Sequence, residues 1–230
     1  MGKRSHFIEG GGTIPWLRLV SPGRTDPSEP SWGGWSGRYT SEKVLNVPSP
    51  YPDVRAQESK SSPFAVYTDF SGVKDHWIDP QDGKIYDDQY APIWPWRVAI
   101  WNDFKARMLW CVQPYAQANH HPVVAVDGDS SNAIVKILAQ SGEKLTFEAS
   151  GSSDPDNDTL QYRWWTYPEA GRNPYARVVH INRIDPARTE LAVPSDAQGK
   201  ELHVILEVCD DNPLVSLADY RRIVINVGRD

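Results

Sequence analysis

Apolar and polar residues alternate over much of the second half of the chain, and the clearest stretch spans residues 145–168. Every second residue of 145–149 is apolar, and a period of two returns over 160–165, where aromatic residues dominate. Such alternation is typical of half-buried β-strands. The segment 150–158 between them is rich in Ser, Gly, Asp, Pro and Asn, which favour turns. The stretch therefore predicts two strands of an antiparallel sandwich joined by an acidic corner.

The same pattern recurs at short spacing up to the C-terminal end. Strands are predicted at 122–127, 133–138, 143–149, 159–167, 177–181, 189–193, 201–209 and 219–227. Short strands separated by turn signals indicate a β-sandwich. The fold class is therefore mostly β, and residues 120–230 are predicted to form the sandwich domain, with its two last strands as central neighbours.

A different period marks one helix in the first half. From Trp96 to Val112, apolar residues recur three or four positions apart, as on one face of an amphipathic helix. Asp103 and Arg107 lie mainly off that face. Because such a helix gains its stability from packing, we expect the apolar stripe to be covered. The stripe consists of Ile100, Trp101, Phe104, Met108, Leu109, Cys111 and Val112.

The rest of residues 1–119 contains few periodic segments. Residues 14–20 predict one short buried strand, whereas 21–95 is rich in Pro and Gly turn signals and predicts irregular chain. An irregular segment of that length is uncommon unless it is functional or wraps over a scaffold. Residues 1–119 therefore predict an incomplete, loop-rich α/β remnant with one clear helix, and 113–122 predicts the connector.

The net charge of −6 arises in the second half, because residues 1–119 carry 13 Lys and Arg against 13 Asp and Glu, whereas 120–230 carry 11 against 17. A net-acidic half disfavours nucleic-acid binding, which needs a basic face to neutralise phosphate. No apolar run approaches the ~18 residues of a membrane span, and the start lacks the apolar stretch of a signal peptide. We therefore expect neither nucleic acid nor membrane as a partner. Cys111 and Cys209 predict no disulfide framework and are expected to be buried thiols.

The aromatic cluster of the second alternating run is a candidate carbohydrate-binding site. Neighbouring strand residues point to opposite faces, so Trp164 is expected in the core and Trp165 on the surface, with Tyr167 nearby. A flat exposed ring can stack on the apolar face of a sugar. The alternative is that the first domain covers Trp165.

The Gly-rich loop 33–37 is a second candidate. Trp32 and Trp35 offer stacking faces, and Arg38 offers a forked cation. The alternative is a rigid turn locked by aromatic packing. Glu9, Gly10, Gly11, Gly12 and Thr13 are assigned to the same pocket-lining set, because glycine lets backbone approach a ligand closely.

An acidic corner is the candidate metal site. Asp154, Asp156 and Asp158 supply the hard oxygen ligands that calcium takes, with Asn157 among them. The spacing does not match the twelve-residue EF-hand loop. A corner held by side-chain-to-backbone turns, without metal, is the alternative.

Catalytic motifs are missing from the sequence. It contains no GxSxG, no HExxH and no phosphate-binding Gly loop followed by Lys. His120 and His121 have no Cys or carboxylate close enough in sequence to indicate zinc. Paired carboxylates for glycoside cleavage stay open, since their separation depends on the fold.

Longer motifs carry a family resemblance. The segment 149–165 is similar to the second and third strands of immunoglobulin-like domains of the polycystic-kidney-disease repeat type. WGGWSGRYT, the segment 96–122, RWWTYPEAG and LHVILEVCDDNP resemble the C-terminal half of bacterial and fungal cellulose-binding proteins with a nucleoside-hydrolase-like domain. The resemblance spans about residues 8–227. It implies an incomplete hydrolase-like domain followed by an immunoglobulin-like domain, with the loop around 33–37 bordering a pocket.

Three functions follow from this resemblance. The first is a non-catalytic module that binds cellulose or another glycan. The second is part of a hydrolase that cleaves N-glycosidic or glycosidic bonds. The calcium-binding aspartates that nucleoside hydrolases use do not occur in 1–119, so the missing scaffold would have to supply them. Whether the protein is an enzyme therefore stays open. The third is a purely structural domain. The resemblance also implies a secreted or periplasmic protein.

Overall fold

A computed structural model describes residues 17, 20, 25–26, 28–39, 75–80, 82–88 and 91–229. Of the strand predicted at 14–20, only Leu17 and Val20 lie within this part of the chain, and Leu17 is buried. No helix in the described residues is long and apolar enough to cross a membrane.

The first half contributes a hairpin and a helix. Strand β1 (Asp75–Ile78) pairs antiparallel with β2 (Ile85–Asp88). A 3-10 helix (Ala91–Trp96) leads directly into α1 (Arg97–Trp110). The prediction of irregular chain over 21–95 is therefore wrong for the hairpin. Each strand is only four residues long, too short for alternation to stand out.

The second half forms two stacked sheets, which confirms the predicted β-sandwich. One sheet has the order β3-β9-β8-β5 and the other β4-β7-β6. The strands are β3 (Val135–Ala139), β4 (Lys144–Glu148), β5 (Gln161–Thr166), β6 (Ile181–Arg183), β7 (Arg188–Ala192), β8 (Glu201–Cys209) and β9 (Ala218–Val227). The long strands β8 and β9 are central neighbours, as predicted. Immunoglobulin-like topology remains a prediction.

Three details differ from the expected sandwich. Strand β3 pairs with β9 in parallel, whereas the other pairs are antiparallel. The strand predicted at 122–127 is absent from the sheets, and its residues form only isolated bridges from Val123 to Ser153 and from Val126 to Asp129. The strand predicted at 177–181 begins only at Ile181.

The main core lies between the two sheets. Phe147 and Leu191 of the smaller sheet face Val204, Leu206 and Ile223 of the larger one, and all are almost fully buried. The ring of Trp164 packs against this core and stacks on Phe147 with 6.1 Å between centroids. The prediction that Trp164 is the core-facing ring is confirmed.

A second core covers the outer face of the larger sheet. Trp96 and Ile100 of the first half pack there against Tyr167, Ile205 and Tyr220. Because both faces of β8 and β9 are covered, their residues are buried almost continuously rather than alternately. The division between 1–119 and 120–230 remains a prediction, but this core draws on both segments.

The helix α1 turns a different face to the sheet from the predicted one. Its buried residues are Ile100, Asp103 and Ala106, whereas Phe104 and Met108 of the predicted stripe are more than half exposed. Asp103 can be buried because it accepts hydrogen bonds from Arg107 Nε at 2.7 Å and pairs with His121 Nε2 at 3.0 Å. A paired carboxylate costs much less to bury than an isolated one. The predicted orientation of the helix is therefore wrong.

The cysteines also differ from expectation. Cys111 is exposed just beyond α1, and Cys209 is half-buried at the end of β8. Both are free thiols. The prediction of two buried thiols is therefore wrong for Cys111, because the helix turns the opposite face to the protein.

Candidate functional site

A cleft opens where the first half meets the larger sheet. It encloses about 180 Å³. The hairpin, the 3-10 helix before α1 and the start of α1 form one wall, and strands β5, β8 and β9 form the other. The aromatic, polar and thiol side chains that line it are Trp77, Asp79, Trp94, Arg97, Asn102, Arg163, Glu207, Cys209 and Tyr220.

Aromatic rings form much of the wall. Trp94 stacks on Tyr86 with centroids 4.3 Å apart, and the guanidinium of Arg97 lies 4.4 Å from the centre of the Trp94 ring. Trp77 meets the edge of Trp165 at 5.7 Å. Trp77 and Trp94 are only half-buried, so part of each ring stays accessible. Because Tyr86 and Arg97 cover the two faces of Trp94, the ring face that the cleft can present to a ligand is that of Trp77, and Trp94 contributes its edge.

Two ion pairs supply the polar part of the cleft. Arg163 Nη2 lies 2.6 Å from Glu207 Oε2, and Arg97 Nη2 lies 3.5 Å from Asp79 Oδ2. Burial alone would lower the pKa of Arg163, but attraction to Glu207 outweighs it and raises the pKa. The cleft therefore combines fixed donors and acceptors with no excess of either charge among these four groups.

Several donors of the cleft walls are left without partners. Trp94 Nε1, Arg97 Nη1 and Arg163 Nε are shielded from solvent and make no hydrogen bond within the described part of the chain. A buried donor without a partner costs about 1–3 kcal/mol. The hydrogen-bonding capacity of the cleft walls is therefore not fully used. Small side-chain shifts around a ligand with acceptor oxygens would give these three donors partners and relieve that cost.

The cleft lacks an activated nucleophile among the described residues that line it. Burial and the neighbouring Glu207 raise the pKa of the Cys209 thiol, which keeps it protonated and weakly nucleophilic. Glu207 and Asp79 are each engaged with an arginine. The arrangement suits recognition of a polar, uncharged ligand better than covalent chemistry.

A buried carboxylate cluster lies beside the cleft. Asp75 Oδ1 accepts from Arg38 Nε at 2.8 Å, and Asp75 Oδ2 accepts from the Tyr167 hydroxyl. The backbone N–H of His76 donates to Glu169 Oε1 at 3.0 Å. Burial raises the pKa of Glu169, and the nearby charge of Asp75 adds to that effect.

This cluster has the two carboxyl groups that a glycosidase would need, but no room for a sugar. The adjoining cavity encloses about 30 Å³, which is room for about two water molecules at roughly 10–15 Å³ each. Asp75 is 2% exposed and Tyr167 is 3% exposed. Arg38, Asp75 and Tyr167 therefore lock the first half onto the sandwich. None of the three presents a surface for stacking or for a forked contact with a ligand.

Trp165 is half-buried rather than exposed on the surface. It contacts Trp77, Trp96 and Tyr167, with centroids 5.1–5.7 Å apart, and packs against the second core. The prediction of an exposed ring is therefore wrong, and the alternative that the first half covers it is confirmed. Trp165 supports Trp77 from behind the cleft.

The Gly-rich loop is a packed turn rather than an open platform. Trp32 is 4% exposed and Trp35 is 1% exposed. Gly33 has φ +71°, and a Cβ there would lie 2.8 Å from the hydroxyl of Tyr167, so only glycine fits this approach. Gly33 O accepts from Arg222 Nη2 at 2.9 Å. The alternative of a rigid turn locked by aromatic packing is confirmed. Glu9, Gly10, Gly11, Gly12 and Thr13 lie outside the described residues.

The acidic corner is held by turn hydrogen bonds. Asp154 Oδ1 accepts from the backbone N–H groups of Asp156 and Asp158 at 2.8 and 3.1 Å. Asp156 pairs with His120, and Asp158 accepts from Asn212. Among the residues that the structure describes, no group of three or more His, Cys, Asp or Glu side chains could hold a metal ion. The hydrogen bonds match the alternative of a corner held by side-chain-to-backbone turns, and the calcium site at the corner stays a prediction.

Sequence reasoning missed the residues of the cleft. Trp77, Trp94 and Arg97 lie in or beside the segment interpreted as irregular, and Arg163 and Glu207 occupy facing positions on neighbouring strands. One local signal was available: the turn residues of 79–84 stand between two short runs that contain aromatic and β-branched residues, which favours a hairpin. The meeting of these segments required the fold.

Comparison with known families gives this geometry a context. Residues 144–227, which contain strands β4 to β9, match the family described as Cellulose-binding protein Sde0182, C-terminal domain. This part of the chain is similar to that family over its 84 matched residues. The resemblance predicted from the sequence motifs is confirmed.

Among solved structures, the chain is similar to a nucleoside hydrolase-related hypothetical protein from Saccharophagus degradans that is associated with carbohydrate metabolism. The identity is 33% and the TM-score 0.73, over 96% of this chain and 48% of that chain. This chain therefore spans about half the length of that relative. Both the first half and the sandwich are shared, since the match covers nearly all of this chain.

More distant structures match about half of this chain. An endo-fucoidan hydrolase of glycoside hydrolase family 107 is 19% identical, with a TM-score of 0.32 over 50% of this chain and 14% of that one. The titin M3 domain is 15% identical, with a TM-score of 0.25 over 47% of this chain and 97% of that one. Neither likeness carries an argument about function. Among curated proteins, none matches the sequence.

Proposed function

We propose that this chain is a non-catalytic carbohydrate-binding module and that its cleft takes one sugar ring of a β-glucan, most readily at a chain end. The observation that carries the proposal is the cleft itself, where Trp77 and Trp94 adjoin two arginine–carboxylate pairs. The family described as cellulose-binding and the relative associated with carbohydrate metabolism support it. A secreted or periplasmic location belongs to the same proposal.

The chemistry of a sugar explains why this combination fits. A pyranose ring has apolar C–H faces and a rim of hydroxyl groups. Half-buried indole rings offer flat apolar surface with little entropy to lose, while Arg163, Glu207 and Asp79 offer fixed donors and acceptors for the hydroxyls. Binding pockets commonly combine mostly apolar walls with a few well-placed polar groups.

The volume of the cleft limits the size of the ligand that it can enclose. Its volume of about 180 Å³ is smaller than the roughly 300–1,000 Å³ of sites for drug-sized ligands. One sugar ring is therefore the largest unit that the cleft can enclose, and adjoining rings would lie outside it. Among the described residues, Trp32, Trp35 and Tyr167 are buried and Trp165 does not line the cleft, so the stacking face is assigned to Trp77, with the edge of Trp94 beside it.

Calorimetric titration with cellotetraose, together with depletion from insoluble cellulose, tests this assignment. Trp77→Ala or Trp94→Ala should weaken binding roughly tenfold or more, because the loss of an aromatic anchor commonly costs over ~1 kcal/mol. Tyr115→Ala is the matched control, since that ring is 80% exposed and does not line the cleft. Thermal melts of each variant separate lost binding from lost folding.

Equal binding by all variants would contradict the assignment of the cleft. No binding by the native chain to any glucan would contradict the module itself and favour the purely structural alternative. Trp77→Phe distinguishes ring stacking from structural support, because it keeps an aromatic face and should retain more affinity than Trp77→Ala.

The hydrolase alternative has less support. In the described part of the chain, the carboxylates of the cleft are engaged with arginines, and Asp75 and Glu169 adjoin a cavity of about 30 Å³. The words "nucleoside hydrolase-related" describe the relative, of which this chain spans about half. Incubation with p-nitrophenyl cellobioside and with inosine should release no product, and turnover that Glu207→Gln abolishes would overturn this part of the proposal.

A further inference from the structure

The outer face of α1 is an apolar stripe. Val98, Trp101, Phe104 and Met108 of α1 are 51%, 37%, 55% and 51% exposed, and Val112, two residues beyond its end, is 80% exposed. These positions are three or four residues apart, so they line one side of the helix. Trp101 and Phe104 also contact each other edge to face, with centroids 6.3 Å apart. The stripe is continuous over about four turns.

The opposite face of the helix is already occupied. Ile100 and Ala106 are buried against the protein, and Asn102 Nδ2 donates to Ser216 O at 2.8 Å. Asp103 holds His121 at 3.0 Å. Rotation of the helix to bury the stripe would break these contacts, so the exposed stripe belongs to the stable packing of the chain.

A helix that is apolar on both sides is typical of an element between two layers. Contiguous apolar patches of this kind mark interaction surfaces on soluble proteins. The sandwich provides one layer beneath α1. A second layer on the other side would cover the stripe. Leu214, which is 51% exposed, extends the apolar surface beside the helix, and Lys105 Nζ donates to the Leu214 carbonyl oxygen at 2.5 Å.

The charges around the stripe disfavour a second copy of this chain as the partner. Its margins carry Arg97, Lys105 and Arg107; Asp79 and Asp103 compensate the two arginines, whereas Lys105 is exposed and forms no ion pair with a described carboxylate. A two-fold interface sets the same patch against itself, which would bring the two copies of Lys105 together. A partner with an apolar groove and acidic margins fits better.

We propose that the outer face of α1 docks against a folded domain equivalent to the half of the Saccharophagus degradans relative that this chain does not span. That relative is about twice as long as the region matched here, since the match covers 48% of it. The inference rests on the exposed stripe and on the length of the relative; Arg97 and Val98 also line the cleft, so the test variants are placed at Phe104 and Met108, which do not.

Co-expression tests the proposal. The unmatched half of the relative and this full-length chain, each with its own tag, should co-purify as a 1:1 complex by light scattering. Phe104→Glu with Met108→Glu should abolish the complex. Leu138→Glu is the matched control, because Leu138 is 76% exposed on the edge strand β3, away from α1, and should leave the complex intact.

A single-chain fusion covers the case in which the separate half does not fold. The unmatched half is placed before this chain, and amide hydrogen exchange is followed in residues 97–110 of the fusion and of the isolated chain. Exchange should slow at least tenfold in the fusion but not in the double variant.

Two results would overturn the proposal. One is a folded fusion whose helix exchanges as fast as in the isolated chain. The other is dimerisation of the isolated chain through the stripe, detected as a doubled mass that the double variant returns to the monomer.

Discussion

Trp96 is the residue on which the attachment of the first half to the sandwich depends most. It is fully buried at the end of the 3-10 helix and contacts Trp165, Tyr167 and Tyr220 at centroid distances of 5.1, 6.4 and 5.4 Å. Its Nε1 donates to Pro92 O at 3.1 Å. We predict that Trp96→Ala destabilises the whole chain, including the sandwich.

The magnitude follows from the burial of the ring. A buried Trp removes roughly 150–250 Å² from water, and at ~25 cal/mol per Å² this contributes about 4–6 kcal/mol. Measured Phe and Trp to Ala changes in cores cost about 3–5 kcal/mol. For a chain of 230 residues, each kcal/mol lowers Tm by about 2–4 °C. The expected loss is therefore roughly 6–20 °C.

Differential scanning calorimetry and urea unfolding followed by far-UV circular dichroism measure this loss. The matched control is Trp101→Ala on the neighbouring helix, since Trp101 is 37% exposed and lies on the outer face. Its loss should cost less than about 1 kcal/mol. Both variants remove the same ring, so the comparison isolates burial.

The result that would refute the reasoning is a split transition. If Trp96→Ala melts the first half early but leaves the sandwich with its native Tm, the second core does not couple the two segments. A loss no greater than that of Trp101→Ala would likewise show that the aromatic contacts contribute little.

Two further predictions concern the helix and the thiols. Asp103→Asn should cost about 1–3 kcal/mol at pH 7, because it weakens charge-assisted bonds with Arg107 and His121. Burial of Asp103 opposes its ionisation, but the bonds with Arg107 and His121 outweigh that effect and lower the pKa of Asp103. The stabilisation is therefore present above the ordinary carboxyl pKa and is lost as the pH falls through the lowered pKa of Asp103. Urea unfolding at pH 7 and at pH 3 checks this, and a penalty that grows toward acid would contradict it. In a thiol titration with Ellman's reagent, the exposed Cys111 should react fast and the half-buried Cys209 much more slowly, because burial raises the Cys209 pKa; equal rates in the native protein would contradict this.

Local alternation was enough to predict the strands of the sandwich, but it did not show what lies on each face. The alternation of 160–165 correctly places Trp164 and Trp165 on opposite sides of β5. It cannot show that a second core covers the outer side as well. Exposure of Trp165 was therefore mispredicted because the covering groups, Trp77 and Trp96, come from segments distant in sequence.

The helix shows the complementary limit. Its length was predicted to within about two residues at each end, because the apolar period and Pro95 define it. Its orientation was not, because a buried Asp103 becomes favourable only when Arg107 and His121 are in place. Periodicity shows which residues share a face, but with apolar groups on both sides it does not show which face meets the protein.

The cleft required the whole fold. Arg163 and Glu207 are 44 positions apart in sequence and meet because β5 and β8 pair in antiparallel register. Trp77 and Trp94 join them through a hairpin and a 3-10 helix too short to give a clear pattern. The acidic corner shows the reverse case, where a suggestive local composition forms ordinary turns.

The most direct test of the central claim is to observe the indole N–H signals of the 10 Trp residues by NMR while cellotetraose is added. Signals are assigned through single Trp→Phe variants. The account predicts that the signals of Trp77 and Trp94 shift with a common saturation curve, while that of Trp101 on the outer face of α1 stays unchanged. Saturable shifts confined to other Trp signals, with Trp77 and Trp94 unmoved, would contradict it.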